Sequence, residues 1–167
     1  EILYSFNNSD FRIYTKPFTI SEETEFRTYA SNGYGKESKI LSTHFYKIDP
    51  NLSIKLETEY ANQYNGGGKN ALIDGIHGAN DFRTGTWQGY HDTDLKATVD
   101  LGSKKGVQTV SINFLQDQRS WIFYPTEISC SVSENGTDFT DLPIQKIDAE
   151  KLSEETEIKT IEFEVDK

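Results

Sequence analysis

Apolar residues return at every second position in several short runs, and this alternation limits the fold more than any other feature. Leu95, Ala97, Val99 and Leu101 alternate with polar partners in DLKATVDLG. Val110, Ile112 and Phe114 do so in VSINF, and Ile161, Phe163 and Val165 near the end. Successive side chains of a strand point to opposite faces, so each run reads as a half-buried β-strand. Turn signals separate the runs: Asn32-Gly33, Gly66-Gly67-Gly68, Asp74-Gly75, Gly102-Ser103 and Asn135-Gly136. Helical periodicity is thin. Its one weak candidate is Asp148–Glu155, where charge is dense and the apolar stripe narrow. Short strands at turn spacing, without helices between them, predict an all-β antiparallel sandwich or barrel.

Composition agrees. Aromatic residues make up 13% of the 167, with ten Phe and nine Tyr, which suits a core of aromatic and β-branched side chains. The formal net charge is −10, and residues 147–167 alone hold eight acids against three lysines. Such a surface repels a phosphate backbone or an anionic bilayer, so nucleic acid is a poor partner. No apolar run approaches the roughly 18 residues of a membrane span, so no membrane insertion is expected. Cys130 is the only cysteine, which rules out an internal disulfide. It lies in Ile128-Ser-Cys-Ser-Val132 with no histidine in the motif, and reads as a buried, inert thiol. The chain opens mid-pattern at Glu1-Ile-Leu-Tyr and reads as a segment of a longer protein.

A boundary falls near Asp49-Pro50-Asn51. Before it, FTI, TEFRTYA and SKILSTHFYKI read as strands, with a glycine-rich turn at NGYG. After it a long glycine-rich stretch begins. Two modules are therefore expected, at 1–48 and 49–167, the first too small to stand comfortably alone.

Signals for catalysis are missing. Nothing holds two carboxylates as the spaced pair a glycosidase needs. His44, His77 and His91 lack metal-ligand spacing. Gly66–Gly68 precedes a strand-like run rather than a helix, so it fails as a phosphate loop. A non-catalytic role is expected.

The ordered set ALIDG, WQG, VDLG, FLQD, SWI, then SVSENGTDF resembles the coagulation factor five/eight type C (discoidin) family, from about Ile54 to Phe139. The likeness is to the branch that serves bacterial exo-glycosidases as carbohydrate-binding modules. The resemblance implies a discoidin-type, jelly-roll-like antiparallel β-sandwich, with further strands beyond Lys167. Residues 1–48, with IYTKPFTI and TEFRTYA, resemble the small Ig-like domain at the carboxyl end of chitobiase and β-hexosaminidases. In those relatives it is a spacer; here the segment is partial, with Asn7-Asn8-Ser9 in place of the usual DGS. Together the two resemblances imply the accessory region of an exported bacterial glycoside hydrolase, periplasmic, cell-surface or extracellular. Its partners would be exposed sugars of host or dietary glycans and the catalytic domain of the same parent chain. The alternative is a structural spacer that binds no sugar.

The loop Asp74–Gly85 packs Asp74, His77, Asn80, Asp81, Arg83 and Thr84 into twelve residues with three glycines. In the family, the loop after DG commonly wraps calcium with carboxylates and carbonyls, hard ligands on irregular backbone. The resemblance implies Asp74 as a calcium ligand, with Asp81 second; a plain Asp-Gly turn is the other reading. Sugar recognition asks for an aromatic face and a few planar donors and acceptors. Two stretches offer both: His77, Asn80 and Arg83 with Tyr90 and His91, and Gln116–Trp121 with Arg119 and Trp121. Against that, Arg119 has Asp117 as a near partner, and Trp121 precedes an apolar Ile122. Trp87 either plugs an end of the sandwich or stacks on a ligand.

Overall fold

A computed structural model describes residues 1–148 and 155–165. Most of the helix candidate near Asp148 falls outside them. The described chain is all-β, with twelve strands in antiparallel pairings and three single 3-10 turns.

The first four strands form one sheet in the order β2-β1-β3-β4. They are β1 (Ile2–Phe6), β2 (Arg12–Ile13), β3 (Thr24–Ala30) and β4 (Leu41–Phe45). TEFRTYA is a strand from end to end, as its pattern predicts. FTI is not a strand. Phe18 lies instead across the sheet face, stacked on Tyr4 at 4.7 Å and edge-on to Phe6 at 5.2 Å. Phe6 stands opposite Phe26 in the register, and Phe26 reaches Phe45 at 6.0 Å. Ring packing of this kind adds about 0.5–1.5 kcal/mol per pair beyond the area removed from water. That gain outweighs the strand propensity of three residues.

The remaining strands form the sandwich. β5 (Ser53–Leu56) pairs with β6 (Ala97–Asp100). β7 (Thr109–Gln116) pairs with β12 (Glu157–Glu164) across eight residue pairs. β8 (Glu127–Ile128) pairs with β11 (Gln145–Lys146), and β9 (Ser131–Val132) with β10 (Thr140–Asp141). The alternating runs of β7 and β12 meet in register, Val110 against Phe163 and Ile112 against Ile161. Among the described residues Leu115, Tyr124, Ile147 and Phe163 are the buried apolar ones, so the core lies between the β7–β12 and β8–β11 ladders. The alternation in β6 is less productive: Leu95 and Leu101 are half-buried, but Ala97 and Val99 are exposed. Only β5 flanks that strand, and nothing among the described residues covers the face.

The turn signalled by Asn135-Gly136 is not a tight two-residue hairpin. Strand pairing stops at Val132 and Thr140, so the connection is a seven-residue loop, 133–139. Only Gly136 takes a positive φ there, at 74°. Asn135 uses its side chain instead, its Oδ1 accepting from the amides of Thr137 and Asp138, both at 2.9 Å. A side-chain turn of this sort replaces the backbone turn that Asn-Gly makes in a two-residue hairpin.

Tyr124 closes the core by donating its hydroxyl to the Glu157 carbonyl at 2.9 Å. Burial, with the Glu157 carboxylate nearby, pushes its phenol up to about 12 from 10.0. The native state thus keeps a proton that the unfolded chain releases earlier. Stability held by this group is complete below pH 10 and drains as pH rises toward 12. Urea midpoints should fall along that limb. In Tyr124→Phe the fall should be shallower, with about 1 kcal/mol lost at neutral pH with the hydrogen bond. Equal alkaline slopes in the two proteins would refute the assignment.

Candidate functional site at the end loops

β5 runs from Ser53 to Leu56 and β6 returns from Ala97 to Asp100, so the loop 57–96 leaves and re-enters at one end of that ladder. The connection 101–108 then leads into β7, and a further turn follows that strand. Two groups of side chains stand on these loops.

The first is built by backbone contacts within the long loop. Ala61 N–H donates to Gly89 O at 2.8 Å, and Gly89 N–H to Tyr64 O at 2.9 Å. Gly89 permits this approach, since a Cβ there would come within 2.9 Å of the Tyr64 Cβ. Two 3-10 turns, Asn62–Tyr64 and Phe82–Thr84, then set the Tyr64 and Phe82 rings edge to face at 6.0 Å. The Arg83 guanidinium lies 4.4 Å over the Phe82 ring and 3.3 Å from the Asp81 carboxylate. Tyr90 donates its hydroxyl to Gln88 Oε1 at 2.8 Å, and Gln88 Nε2 donates to Gly68 O. Burial raises the Tyr90 phenol above its ordinary value. Tyr90 therefore supports the loop from within, while Tyr64, Phe82 and Arg83 form its outer platform.

The second group is a single projecting turn. Asp117 and Ile122 exchange two backbone hydrogen bonds of 3.0 Å, closing the loop between them. Trp121 follows the 3-10 turn Gln118–Ser120 with φ 59° and ψ 34°, left-handed backbone that a non-glycine residue rarely adopts. The result is an indole 84% exposed, with Phe123 beside it at 54% and 6.3 Å away, edge to face. Apolar Ile122 turns inward while Trp121 turns out. Arg119 is exposed on the same turn, and Asp117 accepts the Ser120 hydroxyl at 2.8 Å.

The expected site residues are thus divided. Arg83 and Tyr90 share the first group, and Arg119 and Trp121 share the second. Asn80 is exposed in the loop. His91 is exposed, its Nδ1 3.6 Å from the Asp92 carboxylate. His77 is drawn elsewhere: its ring lies 5.2 Å from Tyr46 and its Nδ1 3.0 Å from Asn113 Nδ2 of β7. No hydrogen bond or ring contact among the described residues joins the Arg83 and Trp121 groups. Tyr64 and Phe82 are functional candidates that sequence reading missed. The available signal was Tyr64 two residues before the triplet Gly66–Gly68, small residues that allow another chain segment to approach closely.

Trp87 supports rather than presents. Its indole N–H donates to Ala79 O at 2.6 Å and its six-membered ring lies flat against Gly78. Cys130 is half-buried, and burial pushes its thiol up, which keeps it protonated and unreactive.

The two carboxylates proposed for calcium differ in fitness. Asp74 Oδ1 accepts the Ile76 amide at 2.8 Å, while Oδ2 faces Gly67 of the glycine-rich turn. Asp81 is committed to the Arg83 amide at 3.0 Å and to its guanidinium. A cation at Asp81 would compete with an arginine already in place, so Asp74 is the better fit. No group of three or more His, Cys, Asp or Glu side chains gathers among the described residues.

The described chain is thus of the all-β class, an antiparallel sandwich with aromatic and polar side chains on its connecting loops. The sequence model of the F5/8 type C domain matches residues 53–167, more than half of the chain, and the protein belongs to that family. Members of the family bind carbohydrate or other ligands. A search of curated proteins found no match. No helix among the described residues is long and apolar enough to cross a membrane.

Proposed function

We propose that this chain is the non-catalytic carbohydrate-binding region of a larger exported bacterial glycoside hydrolase of the β-hexosaminidase type. Residues 1–48 would serve as an Ig-like spacer and 49–167 would hold exposed sugars of host or dietary glycans for the attached catalytic domain. The observation that carries this reading is the exposed Trp121–Phe123 pair, held out on a closed turn at an end of an F5/8 type C sandwich. A pyranose offers an apolar face to such rings and hydroxyls to Arg119 beside them. The Tyr64–Phe82–Arg83 platform supplies a second surface of like chemistry. The negative surface disfavours polyanionic ligands and leaves neutral sugars.

Calcium belongs to this reading as a structural ion at Asp74, where it would tie the glycine-rich turn to the loop 74–85. It takes no part in chemistry. Few contacts reach the ligand, so one site would bind with Kd of about millimolar to tens of micromolar. Attachment to a catalytic domain raises effective concentration and makes such affinity useful.

A glycan array probed with the folded protein, with calcium and with chelator, tests the proposal. Binding to neutral glycans is expected, stronger with calcium. A blank array from folded protein in both conditions would leave the module a structural spacer.

A further inference from the structure

Residues 46–52 look like a linker by composition, with Asp49-Pro50-Asn51 at their centre, yet they are held at four places. The Tyr46 ring contacts His44 of the first sheet at 4.4 Å and His77 of the loop 57–96 at 5.2 Å. His77 is held in turn by Asn113 of β7, whose Oδ1 accepts the Thr160 hydroxyl of β12 at 2.7 Å. Gly75 is the second place. A Cβ there would stand 3.4 Å from the Tyr46 carbonyl and 3.5 Å from Ile48 Cγ1, so the segment lies directly on the Asp-Gly turn.

Asp49 is the third. Its carboxylate pairs with Lys105 in the connection between β6 and β7, and also accepts Asn51 N–H at 2.9 Å. The Lys105 hydrogen bond, with the Asn51 amide second, holds this carboxyl below the ordinary aspartate range. The fourth is Asn51, packed so closely on Gly102 that a Cβ there would come within 2.6 Å of it. These contacts engage the loop after β5, the β6–β7 connection, and β7 and β12.

We propose that the segment 46–52 is a dock rather than a hinge: it joins the four-stranded sheet and the F5/8 type C domain into one rigid body. The end loops are thereby held at a fixed angle to the first sheet. A spacer that could swivel would let a bound glycan wander; a docked one presents it in one direction.

Amide 15N relaxation on the whole protein tests this. One rotational correlation time is expected for residues 1–45 and 53–165, and two distinct times would overturn the proposal. The double variant Tyr46→Ala, Lys105→Glu removes a ring contact and an ion pair without touching either sheet's core. Its two halves should tumble separately, and tryptic cleavage after Lys47 should run about tenfold faster. Unchanged tumbling and cleavage in a folded variant would also overturn it. If the variant does not fold, the relaxation of the unaltered protein still decides.

Discussion

Replacing Gly78 with alanine should cost about 2–3 kcal/mol of stability, a loss out of proportion to one methyl group on a loop. The added Cβ would sit 2.1 Å from Trp87 Cε2 and 2.4 Å from Cζ2, inside the van der Waals surface of a rigid ring. The indole cannot slide aside freely, because its N–H is bound to Ala79 O at 2.6 Å, one residue along. Either that bond breaks or the backbone of the loop moves. Both disturb the base on which Asn80 and Arg83 stand. For a protein of this size the loss corresponds to a fall in Tm of about 5–10 °C. Gly106→Ala is the control: a Cβ there meets nothing within 4 Å and φ is ordinary, so its midpoint should stay within about 0.5 kcal/mol. Equal midpoints for the two variants would show that Trp87 does not rest on Gly78.

Trp121→Gly should separate binding from stability by moving them in opposite directions. The indole is 84% exposed, so its removal takes little from the core. Its backbone sits at φ 59°, which glycine adopts without the cost of about 1 kcal/mol or more that a side chain incurs. The variant should therefore melt no lower than the parent, and up to about 1 kcal/mol higher. Glycan binding should fall roughly thirtyfold, the effect of losing a central aromatic contact worth about 2 kcal/mol. Trp121→Ala should lose binding similarly without the gain in stability. Calorimetry with the best array ligand reads the first quantity and urea unfolding the second. Retained affinity in both variants would move the sugar site to Tyr64, Phe82 and Arg83.

Left-handed backbone and 84% exposure give Trp121 no evident role in folding, and the aromatic turn is read as a binding feature on that ground. The Ig-like spacer and the glycosidase parent follow from the resemblances in the sequence, and the calcium ion from Asp74 beside the glycine-rich turn.

Much of the fold was legible residue by residue. TEFRTYA became β3, VSINF lies within β7, and IEFE closes β12, because alternation depends only on the two-residue repeat of a strand. Gly102 takes the positive φ expected where VDLG turns. Local patterns failed where a distant partner decided the outcome. FTI gave up strand pairing so that Phe18 could cover Tyr4 and Phe6. Val99 alternates correctly but has no facing layer among the described residues. In both cases sequence neighbours set which side a residue points to, not what stands there.

The division at the site has the same cause. Residue type and spacing predicted an antiparallel all-β fold, and the family resemblance implied a sandwich with Arg83, Arg119 and Trp121 among the candidates on its loops. Tertiary structure decided that Trp121 points outward, that Tyr64 meets Phe82 eighteen residues on, and that His77 meets Tyr46 and Asn113. Periodicity and turn chemistry act through covalent neighbours and can be read along the chain. The company a side chain keeps depends on contacts closed across loops and strands, and only the folded chain supplies them.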